Sequence, residues 1–110
     1  MSKEIIRIQL DFNQGPIWIS DVKTGQPMTG VDIIDNDEIL RQINLEISTL
    51  YSSYYEFDSH DQACWFNKEQ EKKDKYKMLS LLKQLNDRLN EINDGSFKVE
   101  DYETERLEKL

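Results

Sequence analysis

Residues 35–57 read DNDEILRQINLEISTLYSSYYEF, and the fold turns on how this stretch is taken. Its apolar side chains fall at Ile39/Leu40, Ile43, Ile47, Leu50/Tyr51, Tyr54 and Phe57, the three-and-four spacing of one helical face. Asp35, Asn36, Asp37 and Glu38 open it with N-cap candidates and first-turn acids that suit the positive end of a helix dipole. The spacing predicts a long helix over 36–57. The stretch ends in Tyr54-Tyr55-Glu56-Phe57-Asp58, consecutive tyrosines set among acids, which suits binding better than chemistry.

Upstream, the period changes from helical to two. Ile6, Ile8, Leu10 and Phe12 alternate with Arg7, Gln9 and Asp11, a strand with one buried face. Asn13-Gln14-Gly15-Pro16 is turn chemistry, and Ile17-Trp18-Ile19 reads as the returning strand of an antiparallel hairpin. A second turn at residues 23–27 leads to Gly30-Val31-Asp32-Ile33-Ile34, a candidate third strand. An isolated hairpin is marginal in water, so the central helix is expected to back this two- or three-stranded antiparallel sheet over residues 4–34.

Downstream, residues 58–66 read as an aromatic linker. Asn67, with Gln70 three residues on, caps a second long helix over 68–93, with Tyr76, Leu79, Leu82, Leu85, Leu89 and Ile92 as its stripe and Asp94-Gly95 as its stop. Its first turns, KEQEKKDKYK, are polar almost all round and are expected to extend past the core. Residues 96–99 read as extended and 101–108 as a short helix. The expected architecture is a single α+β domain over 1–110, a sheet packed on two long helices. Ile43, Ile47, Leu50, Leu82, Leu85 and Leu89 are its expected core.

Composition narrows the function. The chain is 37% hydrophobic and 33% charged, yet its apolar residues are periodic and 11 are aromatic, which favours a folded domain over disorder. The net charge is −8, and residues 35–61 hold seven acids against the single base Arg41. Such a chain repels phosphate backbones, so a basic protein is the natural complement and direct nucleic-acid binding is not expected. One cysteine rules out an internal disulfide. No apolar run reaches the length of a membrane span, and MSKEIIRIQL is interrupted by charge, unlike a secretory signal. A soluble cytoplasmic protein is expected.

Candidate chemistry is thin. His60 and Cys64 are the only histidine and cysteine, but Glu56, Asp58 and Asp61 around them raise a thiol pKa, and no glycine-rich turn offers an oxyanion hole. A structural thiol is the better reading. Asp58, His60 and Asp61, or Asp32, Asp35, Asp37 and Glu38, supply metal-ligand atoms without a recognised spacing, and capping acids on a solvated face explain them. The lysines between 68 and 77 are interleaved with Glu69, Glu71 and Asp74, as on a solvated helix with pairs such as Glu71 with Lys75. No cofactor, no metal and no catalysis are expected.

What remains is an aromatic and acidic surface. Tyr54, Tyr55, Glu56, Asp58, Asp61 and Trp65 are its candidate partner-binding residues, since Tyr and Trp dominate binding hot spots. In size, charge and the stretch ISTLYSSYYEFDSHDQACWFN, the chain resembles the small acidic immunity proteins that bacteria make against their own toxins. Those include the partners of contact-dependent inhibition effectors and other polymorphic toxins. The colicin DNase immunity proteins also use adjacent tyrosines and acids, on an all-helical fold without the strands expected here. Only Tyr54, Tyr55 and the neighbouring acids carry over. The resemblance implies binding to a basic toxin domain of the nuclease type, blocking its substrate access. The alternative is a helical adaptor or dimerisation module built on the 68–93 helix; a small hydrolase using His60 and Cys64 is a third.

Overall fold

The computed structural model describes residues 4–10, 16–18, 20–21, 24–59 and 62–110, with the side chains of Trp18, 57–59 and 62–64 left aside. The order of elements is β1 (Glu4–Ile8), β2 (Ile17–Trp18), α1 (Asp32–Asp35), α2 (Glu38–Ser52), β3 (Tyr55–Ser59), β4 (Gln62–Phe66), α3 (Lys68–Lys73), α4 (Lys75–Ile92), β5 (Phe97–Asp101) and α5 (Thr104–Glu108). The class is α+β.

The first strand forms as its alternation requires. Ile6 and Ile8 are buried while Ile5 and Arg7 face outward. β2 pairs antiparallel with it, Arg7 opposite Trp18 and Ile8 opposite Ile17. The rest of the expected sheet is corrected. The third strand comes from the far end of the chain: β5 pairs parallel with β1, from Glu4 opposite Phe97 to Ile8 opposite Asp101, giving the order β2-β1-β5. Gly30–Ile34 contributes no strand. The Asp35 carboxylate accepts from the Thr29 amide and hydroxyl and from the Gly30 amide at 2.8–2.9 Å, folding this segment into a turn that continues as α1. Phe12 and the turn at 13–15 lie outside the described residues.

α2 begins as its acids suggest, with the Asp37 carboxylate accepting from the Leu40 amide at 2.8 Å. It ends at Ser52, not at 57. The stretch expected to be its last turn, together with residues 58–59 and 62–66 of the expected linker, forms instead the paired strands β3 and β4, with Tyr55 opposite Phe66, Glu56 opposite Trp65 and Phe57 opposite Cys64. Aromatic side chains suit strands, and their pairing partners lie about ten residues away, where helical periodicity cannot register them.

The second long helix is two helices. Asn67 caps α3 by accepting from the Gln70 amide at 3.0 Å, but the run breaks at Asp74, whose φ and ψ are −89° and 6°. That side chain accepts from the Tyr54 hydroxyl and from Gln70 Nε2. The buried stripe of α4 is Met78, Leu81, Leu82, Leu85 and Leu89. Tyr76, placed on the stripe by its spacing, is 78% exposed. It lies two residues from Met78, roughly 200° around the helix. α4 stops at Ile92, and Gly95, at φ 96°, makes the turn into β5. Of the expected core, Ile47, Leu82, Leu85 and Leu89 are buried, and Ile43 and Leu50 pack partly buried against them.

Among the buried polar side chains, Asn44 is the most deeply enclosed. Asn44, fully buried on α2, accepts from the Ile17 amide at 3.0 Å and donates to Ser20 Oγ and to the Gly25 carbonyl, both at 2.8 Å. Gly25 is held so close that a Cβ would come within 2.6 Å of the Leu45 Cβ, at a φ of 74° that already favours glycine. Asn44→Ala would leave an amide and a carbonyl unpaired in the core. It is expected to lower unfolding stability by about 2–4 kcal/mol, two desolvated groups' worth, in urea denaturation. A loss under about 0.5 kcal/mol would mean that water or relaxation satisfies both groups.

The start of α2 is also fastened to α4. Arg88 donates to Asp37 Oδ2 from Nε at 3.0 Å and from Nη2 at 2.6 Å. Burial pushes the Asp37 carboxyl up, but the Arg88 and Leu40 donors outweigh it and hold it below the usual carboxylate range. A carboxylate whose folded pKa is depressed stabilises the fold above its unfolded pKa, and the contribution is lost as pH falls through the folded value. Asp37→Asn keeps the cap acceptor and removes the charge. It is expected to be less stable than the parent at neutral pH, with the gap closing toward pH ~3, below the ordinary Asp value. Urea titrations across that range measure it, and a gap that stays constant would assign the loss to geometry alone.

Candidate binding surface

The β3–β4 hairpin stands on a cluster of four rings. Tyr51 from the end of α2 lies 5.5 Å from Phe66, 5.9 Å from Tyr55 and 6.0 Å from Tyr54, centroid to centroid, and Tyr55 lies 4.9 Å from Phe66. The pairs are edge-on or tilted, the arrangements ring quadrupoles favour. Tyr55 enters because it pairs with Phe66 across the strands; Tyr54 and Tyr51 enter from the turn and the helix before it. The Asn67 amide donates to the Tyr54 carbonyl at 2.6 Å and its side chain to Glu56 Oε2 at 3.0 Å, so one residue caps α3 and ties down the hairpin.

The candidate residues separate accordingly. Tyr54 is 1% exposed, so it is the floor of the site and is not available to a partner. Tyr55, expected to face solvent from a helix, is half-buried among Tyr51 and Phe66, because in a strand opposite Phe66 it joins the ring cluster. Glu56 and Trp65 are half-buried and face each other in the register. Asp58 lies in β3 with its side chain outside the described residues, as does that of Cys64, and His60 and Asp61 lie outside them altogether.

Behind the rings is an ionic network that spacing did not reveal. Glu71 does not pair with Lys75. It is buried, and Arg106 of α5 donates to it at 2.9 Å and to Glu103 at 2.6 Å. The polar opening of the expected long helix is therefore tied to the C-terminal helix through Glu71, while Lys68, Glu69, Gln70, Lys72 and Lys73 stay exposed. Burial works against the Arg106 charge, and the two carboxylates outweigh it and raise its pKa. The signal in the sequence was weak: one acid in a mixed-charge run, answered by an arginine 35 residues later.

Burial and neighbouring acceptors raise the Tyr51 and Tyr54 hydroxyl pKa values well above ordinary tyrosine, for Tyr54 chiefly burial and then Asp74. Both hydroxyls are neutral at physiological pH. Among the described residues no three His, Cys, Asp or Glu side chains converge as a metal site. Asp35 and Asp37 are occupied as turn and helix caps. Between α2 and α4 lies an apolar groove of about 500 Å³ lined by Leu45, Leu50 and Leu81 together with Glu46, Ser53 and Lys77. No described helix is long and apolar enough to cross a membrane. No family model, curated protein or solved structure matches the chain.

Tyr54→Phe removes only the hydroxyl that donates to Asp74 at 3.1 Å. It is expected to cost about 1–2 kcal/mol of stability, as for a hydrogen bond to a charged acceptor. Affinity for any partner should stay unchanged, because the ring itself is out of reach. Denaturation together with a binding titration checks both halves, and a variant with normal stability but weakened binding would return Tyr54 to the contact surface.

Proposed function

We propose that this chain is an immunity protein that binds a basic toxin domain of the nuclease type in the cytoplasm and blocks its access to substrate, without turnover or cofactor. The observation that carries the reading is the β3–β4 hairpin. It is a two-stranded sheet of its own, set on a ring cluster, and residues 55–66 hold three acids and no lysine or arginine. Hairpins of this kind present backbone edges and side chains together. An acidic one with Tyr55 and Trp65 at its base offers both charge steering and aromatic area. The neighbouring groove adds apolar surface for a partner side chain. The chain's net charge of −8 works in the same direction, speeding encounter with a basic surface.

On this reading the acids set the rate of encounter and the rings hold the complex. Asp35 and Asp37 serve as caps, so the steering acids are those of the hairpin, Asp58, Asp61 and Glu56, the last also accepting from the Asn67 side chain. Association and dissociation are to be measured against a basic nuclease toxin domain, taken from the genes neighbouring that of this chain, at two salt concentrations. Glu56→Lys and Asp58→Lys are expected to slow association at low salt, with the slowing reduced at high salt. Trp65→Ala is expected to raise the dissociation rate at least about tenfold, in the range of hot-spot losses. Association rates that ignore both charge reversals would overturn the assignment of this face.

A further inference from the structure

β5 ends the three-stranded sheet, and among the described residues no strand pairs with its outer edge. The Glu4 amide donates to the Ser96 carbonyl and the Tyr102 amide to the Ile8 carbonyl, so the even-numbered backbone groups of this segment face β1. The alternation of a parallel ladder then turns the amide and carbonyl groups of Phe97, Val99 and Asp101 to the open side. Phe97 O accepts from Asn93 Nδ2 at 3.0 Å. Beside this edge runs a groove of about 450 Å³, walled on the α4 side by Asn86, Asp87, Asn90 and Asn93. The groove leaves the edge open beside Phe97, Lys98 and Val99.

The sequence of the edge says which strand. We propose that it is β5 of a second copy of this chain, antiparallel, about a two-fold axis at Val99. Phe97-Lys98-Val99-Glu100-Asp101 is self-complementary in that register: Val99 meets Val99, and Lys98 meets Glu100 twice. The outward-facing odd residues make the hydrogen-bonded pairs. Lys98 and Glu100 fall at the non-hydrogen-bonded positions, where opposed side chains come closest. Sliding the register by two residues in either direction sets Lys98 against Lys98 or Glu100 against Glu100, so charge selects one alignment. Lys98 is exposed and makes no ion pair among the described residues, and one oxygen of Glu100 accepts from the Tyr102 hydroxyl at 2.6 Å. The product is a continuous six-stranded sheet, β2-β1-β5 joined to its symmetry mate. It goes beyond the toxin-binding reading and does not depend on it.

Sedimentation equilibrium across micromolar to millimolar protein, at moderate salt that damps the repulsion between two chains of net charge −8, tests the dimer. The parent chain is expected to dimerise. Lys98→Glu and Glu100→Lys, each turning two attractive pairs into repulsive ones, are each expected to weaken association about tenfold, and the double variant to recover to within about threefold of the parent. Val99→Pro removes an amide that faces the open edge, where proline is tolerated. It is expected to abolish the dimer; because Val99 also packs partly buried against the core, Val99→Ala, which keeps the amide, is the control that should still dimerise and that accounts for any shift in the thermal melt of the monomer. A parent chain that stays monomeric over the whole range overturns the proposal, as does a double variant no better than either single one. Lys98 is exposed and holds nothing in the monomer, so Lys98→Glu reads the interface without risk to the fold; an unchanged association constant in that variant also overturns it.

Discussion

A single buried amide governs how this molecule is assembled. Asn44 lies on the core face of α2 between Leu40 and Ile47, and its three hydrogen bonds end on the Ile17 amide, Ser20 Oγ and the Gly25 carbonyl. A buried amide must be fully partnered or it costs several times what one hydrogen bond contributes. The condition fixes where β2 meets the helix and holds Ser20 and Gly25 against it, close enough that only glycine fits at 25. The sheet is therefore docked on α2 by geometry as well as by hydrophobic burial, which by itself has no direction.

The other fastenings follow a similar logic, each joining segments remote in sequence. Asp37 and Arg88 tie the start of α2 to α4, and Glu71, Arg106 and Glu103 tie α3 to α5. Tyr54 and Asp74 tie the foot of the hairpin to the break between α3 and α4. In a chain only 37% hydrophobic, these polar joints select one arrangement among those the modest core would permit. They also change the electrostatic account. Acids that looked like a continuous negative face include Asp35 and Asp37 as caps and Glu71 and Glu103 as internal partners of Arg106.

The candidate surface was legible only in composition. Tyr54, Tyr55, Glu56 and Trp65 do fall near one another, but their roles depend on a strand pairing that brings Tyr55 to Phe66 and leaves Tyr54 beneath. Tyr54 and Tyr55 were expected within one helix over 36–57; the turn at residues 53–54 followed by β3 sets them by a different rule. Glu71 and Arg106 were invisible as a pair because each has nearer partners of the right sign in sequence.

The sequence by itself determined the local elements whose cause is local. The alternation of Ile6 and Ile8, the Asp37 and Asn67 caps, the stripe from Leu82 to Leu89, an extended segment (97–101 where 96–99 was expected) and a short terminal helix (from Thr104 where 101 was expected) each follow from neighbouring residues. The tertiary structure alone decided the parallel pairing of β1 with β5, the end of α2 at Ser52, the hairpin that follows it and the break at Asp74. The physical reason is the same in each case. Periodicity records which face of a segment is apolar, whereas register, chain reversal and the partner of a buried polar group are settled by atoms that distant residues bring to the same place.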